Sequence, residues 1–243
     1  MASLSSPVSP TSPTVSTSTT RTPCDDPVFL SMSNIKRSGD VSMHCLQFQS
    51  FVEDDERFIV FHIALNDTLM GDIKSDPNAR LCWTMPKSKE YFKFRGKFYI
   101  ASSPLQVTRF PPPKTSSSGD LKASDFWEKE RKQHWKSLSD KARATFTWPS
   151  RGDCPRADSP SFGCQSLSHF GADGAGGAGL FGLGQGKNDK LKVVHDIAMD
   201  NYCLLVYKIT EVEHFDYSPF PPKRNLFSLS VKDNKWSHQE LNP

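Results

Sequence analysis

Five cations crowd one short stretch of the chain: Lys87, Lys89, Lys93, Arg95 and Lys97. The run from 91 to 101 (YFKFRGKFYIA) alternates. As a strand it puts Phe92, Phe94, Phe98 and Ile100 on one face, and Lys93, Arg95, Lys97 and Tyr99 on the other. A phosphate needs convergent cations and backbone N–H donors. A solvated strand face has the same spacing, so the pattern alone leaves the two readings level. Other chemistries find less support. GLGQGK at 182–187 has Phe181 where a phosphate loop needs its first glycine and Asn188 where it needs a hydroxyl, and no strand precedes it, so it reads as linker. The seven histidines include no HExxH, and the chain has no GxSxG, which removes the usual zinc and serine-nucleophile patterns; no metal is expected. His62 lies in the most apolar run and reads as a barrel residue. Cys24, Cys45, Cys82, Cys154, Cys164 and Cys203 form no CxxC pair and read as reduced thiols.

The elements that must carry these residues are mostly strands. Apolar or alternating runs predict strands over 28–35, 45–52, 57–64, 79–85, 91–101 and 202–209, the last running on to 215. Helices are fewer. Asp67 can cap a short one carrying Leu69, Met70 and Ile73; Asp125 with Glu128 opens a second; Ser139 caps a third that ends at Trp148-Pro149. Many strands with few helices imply a β-rich (α+β) barrel rather than a doubly wound sheet. The chain of 243 residues suits one domain over 25–243. Residues 1–24 hold thirteen Ser or Thr and four Pro, too polar to offset the entropy of ordering, and are expected to be a disordered tail. Eight of the fourteen glycines fall in 171–186, so 153–188 is expected to be a flexible insertion. A formal net charge of +3, without a clustered stripe, argues against a dedicated nucleic-acid binder. No stretch of about 18 apolar residues suggests a membrane helix. The first residues lack a signal peptide's charged and apolar regions, so a cytoplasmic location is expected.

One segment carries a resemblance. Arg131, Trp135, Leu138, Arg143, Phe146, Trp148, Pro149 and Gly152 fall in the pattern R-x3-W-x2-L-S-D-x2-R-x2-F-x-W-P-x2-G. It resembles the helical signature of pyridoxamine 5′-phosphate oxidase-like, flavin mononucleotide (FMN)-binding proteins, in the branch named for the cyanobacterial protein Alr4036. FIVFHIA, DPNARLCWTMP, KSKEYFKFRGKFYIA and NYCLLVYKITEVEHFDY resemble that family's strand blocks in order, and KRN, Trp236 and LNP its ending. The resemblance covers roughly residues 27 to 243. It implies an FMN-binding split β-barrel with a few peripheral helices, a homodimer with FMN across the interface, and flavin-dependent oxidoreductase chemistry on a small substrate.

Carried over by position, the cofactor-binding residues would be His44, Gln49, Lys89, Tyr91, Lys93, Arg224 and Trp236. His44, Gln49, Lys89 and Lys93 would face the phosphate or ribityl chain, Tyr91 and Trp236 would flank the ring, and Arg224 would sit on the substrate side. The departures are as informative. His44 and Gln49 stand where the family has cations. Ile63, Ala64, Asn66, Asp67 and Leu69 replace the Thr, Asp, Arg, Ser and Lys of its hairpin motif. Losing two or three charge-assisted phosphate contacts, at roughly 1.5–3 kcal/mol each, weakens binding by orders of magnitude. Two readings therefore stay open: an FMN-dependent oxidoreductase, or a degenerate, non-catalytic barrel that has lost FMN and serves as a binding or structural protein.

Overall fold

A computed structural model describes residues 27–243 apart from 54, 152, 156–157 and 169–184. The expected tail at 1–24 and most of the glycine run thus lie outside the described residues, as does Gly152 of the helical signature.

Nine strands form one antiparallel sheet: β1 (Phe29–Ile35), β2 (Val41–Gln47), β3 (Ser50–Val52), β4 (Asp55–Ala64), β5 (Asn78–Met85), β6 (Glu90–Ala101), β7 (Tyr202–Asp216), β8 (Lys223–Leu229) and β9 (Trp236–Leu241). Their order is β2-β1-β5-β6-β7-β4-β3, with β8 paired to β7 and β9 to β8. The two ends of that order are joined in sequence. Phe48 N donates to Val28 O at 2.8 Å, and Gln49 N to Val60 O at 3.1 Å, so the sheet curls back on itself without closing. The single strand expected over 45–52 is in fact two, because residues 48 and 49 bond to different partners and turn the chain from β2 into β3.

Period-two alternation decides which face each residue takes. The inner face of β6 carries Phe92, Phe94, Phe98 and Ile100, which join Leu30, Met32, Ile59, Phe61, Leu81, Trp83 and Tyr207 in the barrel core. Helix α1 (Thr68–Ser75) plugs one end through Leu69, Met70 and Ile73, capped as expected by the Asp67 carboxylate on Leu69 N at 3.0 Å.

A second core lies outside the barrel. There the outward residues Phe58, Val60, Tyr202, Leu204 and Val206 meet α2 (Ala123–Ser137), α3 (Asp140–Ala144) and α5 (Gln185–Asn201), with Trp127, Trp135, Phe146 and Ala198 between them. The Ser139 hydroxyl caps α3 as expected, whereas α2 starts before Asp125, with Lys122 at its cap position. A one-turn helix, α4 (Ser159–Gly163), and the start of α5 fall inside the stretch expected to be loop.

Candidate functional site

The helical layer covers only part of the outer sheet surface. β7 pairs with β4 over residues 202–208 and with β8 over 211–216, and among the described residues no helix packs on the second half. Register fixes what stands there. Tyr91, Phe215 and Arg224 share one cross-strand row, Lys93, Glu213 and Leu226 the next, and Arg95, Glu211 and Ser228 a third. These residues alternate with Phe92, Phe94 and Val212 of the core, so all three rows face outward.

The rows make an aromatic stack flanked by cations. The Tyr91 and Phe215 rings stack with centroids 5.0 Å apart, and Tyr217 continues the stack 6.3 Å beyond Phe215. Arg224 lies over Phe215 at 4.7 Å, and Lys93 over Tyr91 at 5.2 Å. Such cation–π contacts hold the charged groups beside the rings. Glu213 bridges the two cations: its Oε1 accepts from Arg224 Nη1 at 2.7 Å and from Lys93 Nζ at 3.3 Å. The trio therefore carries a single net positive charge. Arg224 Nε is buried and has no hydrogen-bond partner among the described residues, so the guanidinium keeps unused donor capacity.

Of the residues singled out from sequence, Tyr91, Lys93 and Arg224 meet in this patch. Lys89 is exposed in the turn just before β6, with a left-handed backbone (φ 61), and its carbonyl accepts from Tyr217 N at 3.0 Å. The other three stand elsewhere. His44 pairs with Met32 on the inner face of β2 and contacts the Ser42 hydroxyl through Nε2 at 2.9 Å. Gln49 sits in the β2–β3 link and donates to Gln47 O at 3.3 Å. Trp236 packs against the barrel core, on the opposite face from Tyr91. Sequence reasoning missed Phe215 and Glu213. The alternation of EVEHFDY at 211–217 is the signal that could have placed both on the Tyr91 side.

The positions of the family's hairpin motif do structural work. Ile63 and Leu69 lie in the barrel core, Ala64 is buried in the outer core, and Asp67 caps α1. Asn66 donates to Trp148 O at 3.1 Å, which ties that hairpin to the end of the helical signature. Among the described residues no group of three or more His, Cys, Asp or Glu side chains could hold a metal ion, and no helix is long and apolar enough to cross a membrane.

No protein-family model matches the sequence, and no curated protein matches it. Solved structures do match. A pyridoxamine 5′-phosphate oxidase-related, FMN-binding protein from Nostoc punctiforme PCC 73102 superposes with a TM-score of 0.63 at 21% identity, over 88% of each chain. The fold is the pyridoxamine 5′-phosphate oxidase-like split barrel. PhzG from Burkholderia lata 383, solved with tetrahydrophenazine-1-carboxylic acid, superposes with a TM-score of 0.53 at 12% identity, over 89% of this chain and 83% of its own. The two cations suit an anionic group; the Glu213 carboxylate between them opposes it.

Proposed function

We propose that this chain is an FMN-binding split-barrel protein of the Alr4036 branch, acting as a cytoplasmic homodimer. The observation that carries the reading is the placing of Lys93 and Arg224 beside the stacked Tyr91 and Phe215 rings on an uncovered sheet face. The edges of the ring stack offer an apolar contact to an isoalloxazine, and the cations an anchor for the phosphate. Bound FMN would supply hydride-accepting chemistry toward a small substrate. This chain's residues bind and orient the group, and a second copy packed on the face would exclude water from it. Support for that second copy comes from the uncovered outer side of β1 and β2, where Phe29, Ile35, Val41 and Met43 are exposed; monomers seldom leave so many large apolar residues together on one hairpin.

One set of observations favours the rival reading, a barrel that has lost FMN and serves as a binding or structural protein. Glu213 already pairs with both cations, and Ile63, Ala64 and Leu69 are committed to packing. Sedimentation together with visible absorbance separates the two. A yellow dimer that releases free FMN on denaturation supports the first reading. A colourless protein that takes up no added FMN at about 10 µM supports the second.

A further inference from the structure

We infer that Glu213 fills the anion-binding position of the outer face, and that a ligand enters by displacing its carboxylate; this rests on the flavin reading given above. Glu213 stands in the middle of its cross-strand row, between Lys93 on β6 and Leu226 on β8. A single oxygen, Oε1, serves both cations, at 2.7 Å from Arg224 Nη1 and 3.3 Å from Lys93 Nζ. That is the place an incoming phosphate oxygen would take. The carboxylate uses one corner of the guanidinium and leaves Arg224 Nε buried without a partner. A phosphate, with three oxygens, can engage more of the fork than Oε1 does.

The exchange is physically easy. The Glu213 side chain is 23% exposed, the Arg224 side chain 27% and the Lys93 side chain 49%, so the displaced carboxylate can turn into water. Ion pairs at such exposure are weak. The cations stay in place without Glu213, because Arg224 rests on Phe215 and Lys93 on Tyr91. A dianion brings more charge to them than the single carboxylate it replaces. A neutral ring of the same shape brings none and leaves Glu213 where it is. The device therefore selects flat ligands that carry a phosphate and rejects those that lack one.

The test compares wild-type protein with Glu213→Gln, which keeps the side-chain shape and removes the charge, and with Glu213→Ala as a second variant. FMN and riboflavin are titrated by flavin fluorescence, and inorganic pyrophosphate by calorimetry as an anion probe free of any flavin. Both variants should bind FMN and pyrophosphate about tenfold more tightly than wild type, with riboflavin affinity unchanged. Unchanged or weaker binding of both anions in the variants would overturn the inference and make Glu213 a positioning residue for Arg224. If FMN binds all three forms equally, the inference fails while the flavin reading stands. Tighter pyrophosphate with no uptake of either flavin keeps the inference and removes the flavin reading. Binding of no probe by any form removes both.

Discussion

Arg131 is 2% exposed, and the Glu128 carboxylate meets its charge with both oxygens while backbone carbonyls take the remaining corner. Its Nη1 donates to Met199 O at 2.8 Å and to Tyr202 O at 3.3 Å, while its Nε pairs with Glu128 at 2.9 Å. Arg143 behaves alike, donating to the carbonyls of Leu167, Trp135 and Leu138 and pairing with Asp140. Arg131 thus pins α2 to the junction of α5 and β7, and Arg143 ties α3 to the end of α2 and to Leu167. Arg131→Ala removes the donor to two carbonyls and the partner of Glu128, and should cost about 3 kcal/mol of stability, read by urea denaturation; Arg131→Lys should not restore it, since an ammonium lacks the fork. Their spacing was legible in the sequence. Their role was not, because partners 68 and 71 positions away cannot be read from a local pattern.

Asp55 supplies a pH dependence at the same scale. Burial alone would raise its carboxyl, but the Arg57 guanidinium and the Ser116 N–H outweigh burial and hold it below the usual carboxylate value of 3.8. A carboxyl lowered in the folded state stabilises fully above its unfolded value and loses that contribution as pH falls through the folded one. Thermal melts across acid pH should therefore show wild type losing stability below about pH 4, with Asp55→Asn less stable at neutral pH and flatter in acid. Equal slopes for the two proteins would contradict the assignment.

At the scale of elements, Gly96 is the position on which β6 and β7 depend most. It lies at an irregularity in their register, and a Cβ there would run into Lys208 O and come within 2.8 Å of the Tyr207 ring. That ring is held in place by its hydroxyl, which donates to Ala79 O at 2.8 Å and to Phe94 O at 3.2 Å. The neighbour is backbone and cannot move aside. Gly96→Ala should lower the melting temperature by roughly 5–10 °C, a loss on the order of 2–3 kcal/mol; a variant melting together with wild type would show the crossing to be looser than described.

Strand alternation was legible, and so were the caps at Asp67 and Ser139, because both are written locally. β9 and α5 were not. The β9 sequence WSHQEL is mostly exposed and polar, and α5 follows a glycine run that reads as loop. Its helix exists through burial of His195 and Ala198 against the layer formed by Trp135 and Phe146.

The molecule as a whole divides its sheet surface by function. Helices cover the outer side of β4 and the first half of β7, and leave open the side that bears the cations, the ring stack and the apolar hairpin of β1 and β2. The shared outward face of Tyr91 and Lys93 was legible, since the 91–101 run alternates strictly. His44 and Trp236 lie on the inner side of their strands and Gln49 in the β2–β3 link, placements that only the folded sheet decides. If the open side is where two copies meet, Met43→Glu should shift sedimentation from dimer toward monomer, and an unchanged dimer would place the contact elsewhere.

The most direct test of the central claim is a flavin-fluorescence titration of FMN against wild type and Arg224→Ala. The account predicts saturable quenching with wild type, weakened about tenfold or more by Arg224→Ala. Saturable binding that Arg224→Ala leaves unchanged, or no quenching up to about 100 µM protein, would contradict it.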